Sequence, residues 1–407
     1  MTTSGRPRTT AEPTRLTLLD SLFPGTDETS ALARATDWAR TPLGDPSAWS
    51  SELSAAIRTV MPASIPMLLW WGPQLVQVYN DAYRPICGVK HPRSMGQPAA
   101  ECWPEAWAEL GPRVGRVVGL GESDHEQALL LFLERYGYVE ETYWRYSFSP
   151  VRSMDGEVLG VFVATTEVTA TEVERYRLAA VHELAVVSTA AIRSAEDLVH
   201  RVEPVLARDR RAVPFAALYL PDPGGDLVRA AAHGIVDGSR ALPERVPSGA
   251  AHPVADAARA RGPRSVHTID GELVAEPSPL GALVPTDVVH VPLCSPDGPL
   301  EGVLSVGLNP YRPDDRPYET FVTLLARQLT ALLTDVRAAE HERSRAENLE
   351  VALRTNRTIG MAVGVLMASR RLSDEDAFRL LRDASSTANR KLRDVAEDVV
   401  HTGRLPH

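Results

Sequence analysis

Up to about residue 317 the apolar positions of this chain come in short blocks broken by Gly, Pro and Asp; beyond it they recur at three-four spacing. The blocks predict strands. PMLLWW at 66–71 and LVQVY at 75–79 flank Gly72 and Pro73, and strands over 128–134, 140–149 and 158–167 follow, the last two joined at the hairpin signal Met154, Asp155, Gly156. A helix opens at Asp45, Pro46 and Ser47 and runs through Ile57, with short helices around Tyr83 and Trp107. A second group pairs 215–220 with 227–232 across PDPGGD, and 288–293 with 302–308 across SPDG at 295–298. Ser194 and Asp197 have the spacing of a helix start, and 172–193 reads as a helical connector.

No proline occurs from Tyr318 to Leu405, which permits unbroken helix. Phe321, Leu324, Leu325, Gln328, Leu332 and Val336 keep helical spacing; after the mixed-charge stretch 337–347, Leu349, Leu353, Asn356, Gly360 and Val363 continue at the spacing of a seam. The charged stretch is either a solvated linker or a weak coiled coil. A helix from 318 to about 369 would be roughly 78 Å long at about 1.5 Å per residue. Gly360 and Gly364 cost helix stability but share a face, where missing side chains let another helix approach. Ser373 caps a second helix with Ala377, Phe378, Leu381, Ala384, Ser385 and Ala388 on one packed face, and a third turns Leu392, Val395, Ala396 and Val399 inward. The expected fold class is α+β and multidomain: a disordered lead-in at 1–26, α/β units at 27–171 and 194–335 around the connector, a helical linker at 336–348 and a three-helix bundle at 349–407. So small a bundle has a marginal core, which dimerisation through the long helix would enlarge.

Charge refines this picture. The chain carries −10 overall, against nucleic-acid coating along its whole length. Segment 350–407, however, holds ten Arg or Lys against eight Asp or Glu, leaving −12 on the remainder. Three scattered cysteines include no Cys-x-x-Cys pair, which argues against structural zinc and suits a reducing compartment. The polar first fifteen residues lack an apolar signal core, and no apolar run reaches the roughly 18 residues of a membrane span. A cytoplasmic location follows as an expectation.

Three resemblances add to this reading. IPMLLWWGPQLVQVYNDAYRP at 65–85 and SPVRSMDGEVLGVFVATTEVT at 149–169 resemble a PAS domain. GVLSVGLNPYRPDDRPYETFVTLLARQLTALL at 302–333 is similar to the closing strand and helix of a GAF domain. NRTIGMAVGVLMASRRLSDEDAFRLLRDASSTANRKLRDVAEDVV at 356–400 resembles an ANTAR domain: Ala362, Gly364 and Met367 match its first core motif, Ala377, Phe378 and Leu381 its second helix, and Ser385, Leu392 and Ala396 its third segment. The PAS and GAF resemblances imply sensing or dimerisation. The ANTAR resemblance implies binding to paired RNA hairpins that blocks a transcription terminator, and a homodimer through the long helix would present two such heads.

The residue chemistry permits this. Arg390, Lys391 and Arg393 cluster at the start of the third helix, where backbone amides favour phosphate, and Asn389 is placed to read a base edge. Arg354, Arg357, Arg371 and Arg382 are further candidates for RNA contact. Trp70, Trp71, Tyr79, Tyr83, Trp103 and Trp144 are candidates to line a ligand cavity in the first unit. Cys87 lacks the sequence context of a flavin-binding cysteine and reads as core; His91 and His125 give no haem signature, and no metal cluster is legible. HELA at 182–185 resembles a phosphoacceptor strip, yet no kinase domain follows, and no catalytic constellation can be assembled. The competing reading is a protein-interaction or dimerisation module without RNA binding.

Overall fold

In the computed structural model the apolar core begins earlier than the polar lead-in suggests. The structure describes residues 15–405 except 190, 237, 262–264, 269–284, 286, 296–297 and 313–314. Helix α1 (Arg15–Leu22) already contributes, because Leu19, Leu22 and Phe23 are buried, and Phe23 stacks on Trp38 with ring centroids 5.9 Å apart. The expected disordered lead-in is therefore corrected over residues 15–26, where three apolar side chains within five residues outweigh the polar ones around them; its first fourteen residues lie outside the described ones. Helix α2 (Glu28–Ala35) follows. The helix expected from Asp45 through Ile57 is split. A single 3₁₀ turn (Pro46–Ala48) ends at Trp49, whose extended backbone lets its indole N–H reach the carbonyls of Leu43 and Gly44. Ser50 then caps α3 (Ser51–Val60) through the Leu53 amide.

The first sheet is antiparallel in the order β2-β1-β5-β4-β3, built from β1 (Met67–Trp71), β2 (Val76–Tyr79), β3 (Asp124–Glu134), β4 (Val139–Arg152) and β5 (Val158–Glu167). Leu68 faces Val163 across β1 and β5, and Gly156 closes the β4–β5 hairpin at φ 88°, a conformation glycine adopts without steric cost. Helices α4 (Arg84–Cys87), α5 (Ala99–Cys102) and α6 (Trp107–Leu120) cover one face. Helix α7 (Thr169–Ala185) carries the chain onward.

The second unit opens with α8 (Ala195–Ala207), whose cap Ser194 accepts from the Asp197 amide. Its sheet runs β8-β7-β6-β11-β10-β9, from β6 (Ala216–Pro221), β7 (Leu227–His233), β8 (Arg245–Val246), β9 (Ser265–Thr268), β10 (Asp287–Cys294) and β11 (Leu300–Gly307), with α9 (Pro253–Ala260) between β8 and β9. The middle of the turn expected at 295–298 lies outside the described residues, but the strands flanking it pair antiparallel. Both faces of this sheet are covered. Val289, Val291, Leu304 and Val306 pack with α7, α8 and the following helix, whereas Val288 and Val303 pack with α9. That is why these strands read as continuous apolar blocks.

Helix α10 (Arg316–Arg370) is 55 residues long, about 83 Å at about 1.5 Å per residue. Its residues are buried against the second unit as far as Val336; all of 341–354 is exposed; Ala362, Val363 and Leu366 are buried again. There the helix packs against α11 (Asp374–Thr387) and α12 (Leu392–Thr402) around Ala377, Leu381, Val395, Ala396 and Val399.

Candidate nucleic-acid interface

The turn between α11 and α12 organises the basic cluster. Ser385 accepts the Arg390 amide on its backbone carbonyl at 3.1 Å and donates its hydroxyl to the Arg390 carbonyl at 2.5 Å. Asn389, between them, takes φ 53°, in the left-handed region that Asn tolerates better than most residues. Lys391 is the cap of α12, but its side chain makes no capping bond and no ion pair among the described residues. The amides of Leu392 and Arg393 find no acceptor among the described residues, so the positive end of α12 opens to solvent beside an unpaired ammonium. Arg390 donates to Asp398 at 2.6 Å, and Arg393 lies 3.5 Å from Asp394 and 3.7 Å from Glu397. These half-exposed pairs are weak enough for phosphate to displace.

The remaining candidates are dispersed. Arg371 caps the end of α10 at φ 55°, exposed and without an ion pair among the described residues, beside Arg370, whose candidacy the sequence reading missed although basic residues at a helix carboxyl end are a readable signal. Arg382 is exposed on α11, with neither Asp383 nor Asp394 paired to it. Arg354 pairs with Glu350 at 3.3 Å; Arg357 falls five residues, hence about 140° around the axis at about 100° per residue, from buried Ala362, on the side of α10 facing away from the bundle.

Burial separates the motif residues into two groups. Ala362, Ala377, Leu381 and Ala396 are fully buried, and Ser385 and Leu392 are half-buried. Met367 and Phe378 are exposed by 37% and 41%, so the expected packed position of Phe378 is corrected: it sits at the rim of the bundle. The close packing expected at Gly360 and Gly364 is also absent within the chain, since a Cβ built on either meets nothing within 4 Å. Both lie instead on an exposed stripe with Leu349, Leu353, Asn356 and Met367.

In the first unit Trp70, Tyr83, Trp103 and Trp144 line a cavity of about 50 Å³. Trp71 and Tyr79 do not: strand alternation turns Trp71 to the opposite face, and Tyr79 bonds His91 Nδ1 and Ser94 Oγ, each at 2.8 Å. Burial pushes the Tyr79 hydroxyl far above its ordinary pKa and the Cys87 thiol up to about 12, as suits packed rather than reactive groups. His91 Nε2 faces Glu28 at 3.0 Å.

A family model described as ANTAR domain matches residues 347–400. The chain carries an ANTAR domain. A model described as PAS fold matches residues 66–173, which contain the first sheet. No curated protein matches the chain. Among solved structures, the GAF domain of a phosphoenolpyruvate-protein phosphotransferase from Coxiella burnetii is 16% identical, with 42% of this chain and 97% of that one covered and a TM-score of 0.30. A putative GAF sensor protein from Burkholderia vietnamiensis is 17% identical over 41% and 94%, with a TM-score of 0.29. The GAF-like character of the middle unit rests on its own six-stranded sheet and closing helix. PAS, GAF-like and ANTAR units thus follow one another, and no helix among the described residues is long and apolar enough to cross a membrane.

Proposed function

We propose that this chain is a cytoplasmic, signal-responsive RNA-binding regulator of transcription termination, in which PAS and GAF-like units control how a pair of ANTAR domains grips RNA hairpins. The observation that carries this reading is the open amino end of α12, with Lys391 unpaired and Arg390 and Arg393 held only by weak surface pairs. Three cations around free amides suit a phosphate, and Asn389 stands at the edge of the same turn for a base. Arg371 and Arg382 extend the contact, while Arg354 and Arg357 serve the outer side of α10. The exposed stripe from Leu349 to Met367 is the seam for a second copy: its apolar residues, one Asn and two glycines suit a helix pair in fixed register. Two linked heads gain avidity for two linked hairpins. The PAS cavity, far below the roughly 300 Å³ of a drug-sized site, would take a very small ligand.

A gel-shift assay of the full chain with a two-hairpin RNA tests the reading. Binding is expected to weaken with salt, with a log–log slope of about 0.7 per phosphate contact, and joint replacement of Arg390, Lys391 and Arg393 by Ala lowers the slope by about 2. Unchanged affinity in that variant removes the site. The competing reading, a protein-interaction module that only dimerises, is favoured by the apolar stripe. It predicts a stable dimer with no RNA affinity at low salt.

A further inference from the structure

The most heavily buried ion pair joining two units of this protein lies at the first turn of α10. Arg177, on the helix leaving the PAS domain, sends Nη1 to Asp315 Oδ1 at 3.0 Å and Nη2 to Oδ2, and both side chains are about 95% buried. Its guanidinium lies 5.0 Å from the ring centre of Tyr318 and 5.6 Å from that of Phe321, both on α10. Arg312 adds a bond to Asp315 at 3.1 Å. Beside this pair, strand β4 of the PAS sheet is fastened to the same stretch of chain. The Glu141 carboxylate accepts from Asn309 at 2.5 Å and from Tyr143 at 2.9 Å, the Glu141 amide reaches the Tyr311 carbonyl at 3.2 Å, and Phe132 packs on Tyr311 at 4.7 Å.

Two details mark this junction as more than packing. Asp315 occupies the cap position of α10, where aspartate ordinarily accepts a first-turn amide, yet its side chain makes no capping bond. The Tyr176 hydroxyl and Arg177 Nε are buried there with no hydrogen-bond partner among the described residues. One carboxylate thus has two competing uses, and the network holding it is incompletely satisfied.

We propose that Asp315 is a latch: paired with Arg177 it fixes the start of α10 to the PAS domain, and released it caps its own helix. Pro317 has no amide to offer, so the cap it would make is to Tyr318, whose amide exchanges the Asp315 backbone carbonyl it now bonds at 3.0 Å for the Asp315 carboxylate. Because α10 is unbroken to Arg370, lies buried against the GAF-like unit as far as Val336 and is tied at Arg337 to Glu301 (2.7 Å) and at Glu340 to the Ala195 amide (3.2 Å), a shift of its first turn reaches the stripe at 349–367 by moving the helix along that packed face. PAS input thus passes along the packed face that α10 shares with the GAF-like sheet. The output arm rests on the dimer reading above; the latch does not.

The test uses the full chain with Asp315→Asn, which retains capping capacity and loses charge, and Arg177→Met, which retains the stem over Tyr318 and loses the bonds. Hydrogen exchange is followed in peptides spanning 139–143, 173–180 and 316–325. Both variants are expected to raise exchange about tenfold in 139–143 and 173–180, while 316–325 stays protected in Asp315→Asn, where the cap replaces the latch. Leu349→Cys and Leu353→Cys, each in a Cys294→Ser background, then report disulfide yield between copies, and the latch variants change the ratio of the two yields. Unchanged exchange in the PAS peptides, or 316–325 unfolding equally in both variants, overturns the latch. A changed ratio without RNA binding leaves the latch standing and removes the RNA reading; RNA binding with an unchanged ratio does the reverse for the output arm.

Discussion

Asn389 forms a turn and, under the proposed function, reads a base; a single substitution separates the two. Its left-handed backbone suits glycine, so Asn389→Gly should leave the melting temperature within about 2 °C of the parent while removing the side chain proposed to read a base, and RNA affinity should fall about tenfold. A fall in both would make the residue a turn former only. Glu141 supplies a pH test. Burial, the largest influence, raises its pKa despite bonds from Tyr143 and Asn309 and nearby Arg312. The folded pKa therefore lies above the unfolded one, so the fold favours the protonated form and loses that advantage as pH rises through the carboxylate range. Glu141→Gln should gain stability relative to the parent between about pH 4 and pH 7 in thermal melts. Asp315, whose carboxyl Arg177 holds below the ordinary range despite burial, acts oppositely, losing its contribution as pH falls; comparison with the parent isolates Glu141. Asn389 stands out in the sequence as a candidate to read a base edge, though its left-handed backbone does not; Glu141 reads as an ordinary polar position in a strand.

At the scale of elements, spacing was a good guide wherever both sides of an element are settled by its own residues. The β4–β5 hairpin followed from Met154, Asp155 and Gly156, and the long helix from the lack of proline after Pro317. It failed where a neighbour decides. Trp49 interrupts a helical pattern because its indole finds carbonyls at Leu43 and Gly44, and Phe378 falls at the rim because α11 turns Ala377 and Leu381 inward. The glycines of α10 give the sharpest test. A Cβ at Gly364 meets nothing within 4 Å in the chain, so Gly364→Ala should raise the helix's thermal stability by about 1 kcal/mol. The same side chain would stand in the seam and weaken association of two copies, as measured by sedimentation. Tighter association would show that the glycine does not admit a partner helix.

Across the whole molecule, the order of units was legible because each carries its own turn and spacing signals, and the ANTAR and PAS segments fall where their motifs lie. The joints between units were not. Arg177 and Asp315 are 138 residues apart, and Glu141 and Asn309 are 168 apart; nothing local in either segment marks them as partners. A buried charge pair is specified by the three-dimensional neighbourhood that removes water from both members, which periodicity does not encode. The dispersed arginines illustrate the same limit. Arg357 and Lys391 are equally basic in sequence, but the helix turns one away from the bundle and places the other at a free amino end.

The bare span of α10 has a consequence for electrostatics. From Glu340, the last residue tied to the GAF-like unit, to Ile359, the first packed in the terminal bundle, the rod advances about 28 Å at about 1.5 Å per residue. In physiological salt the screening length is about 8 Å. A polyanion seated on the terminal bundle would stand more than three such lengths from the acidic body along this rod, and would feel the local cations rather than the net charge of the chain.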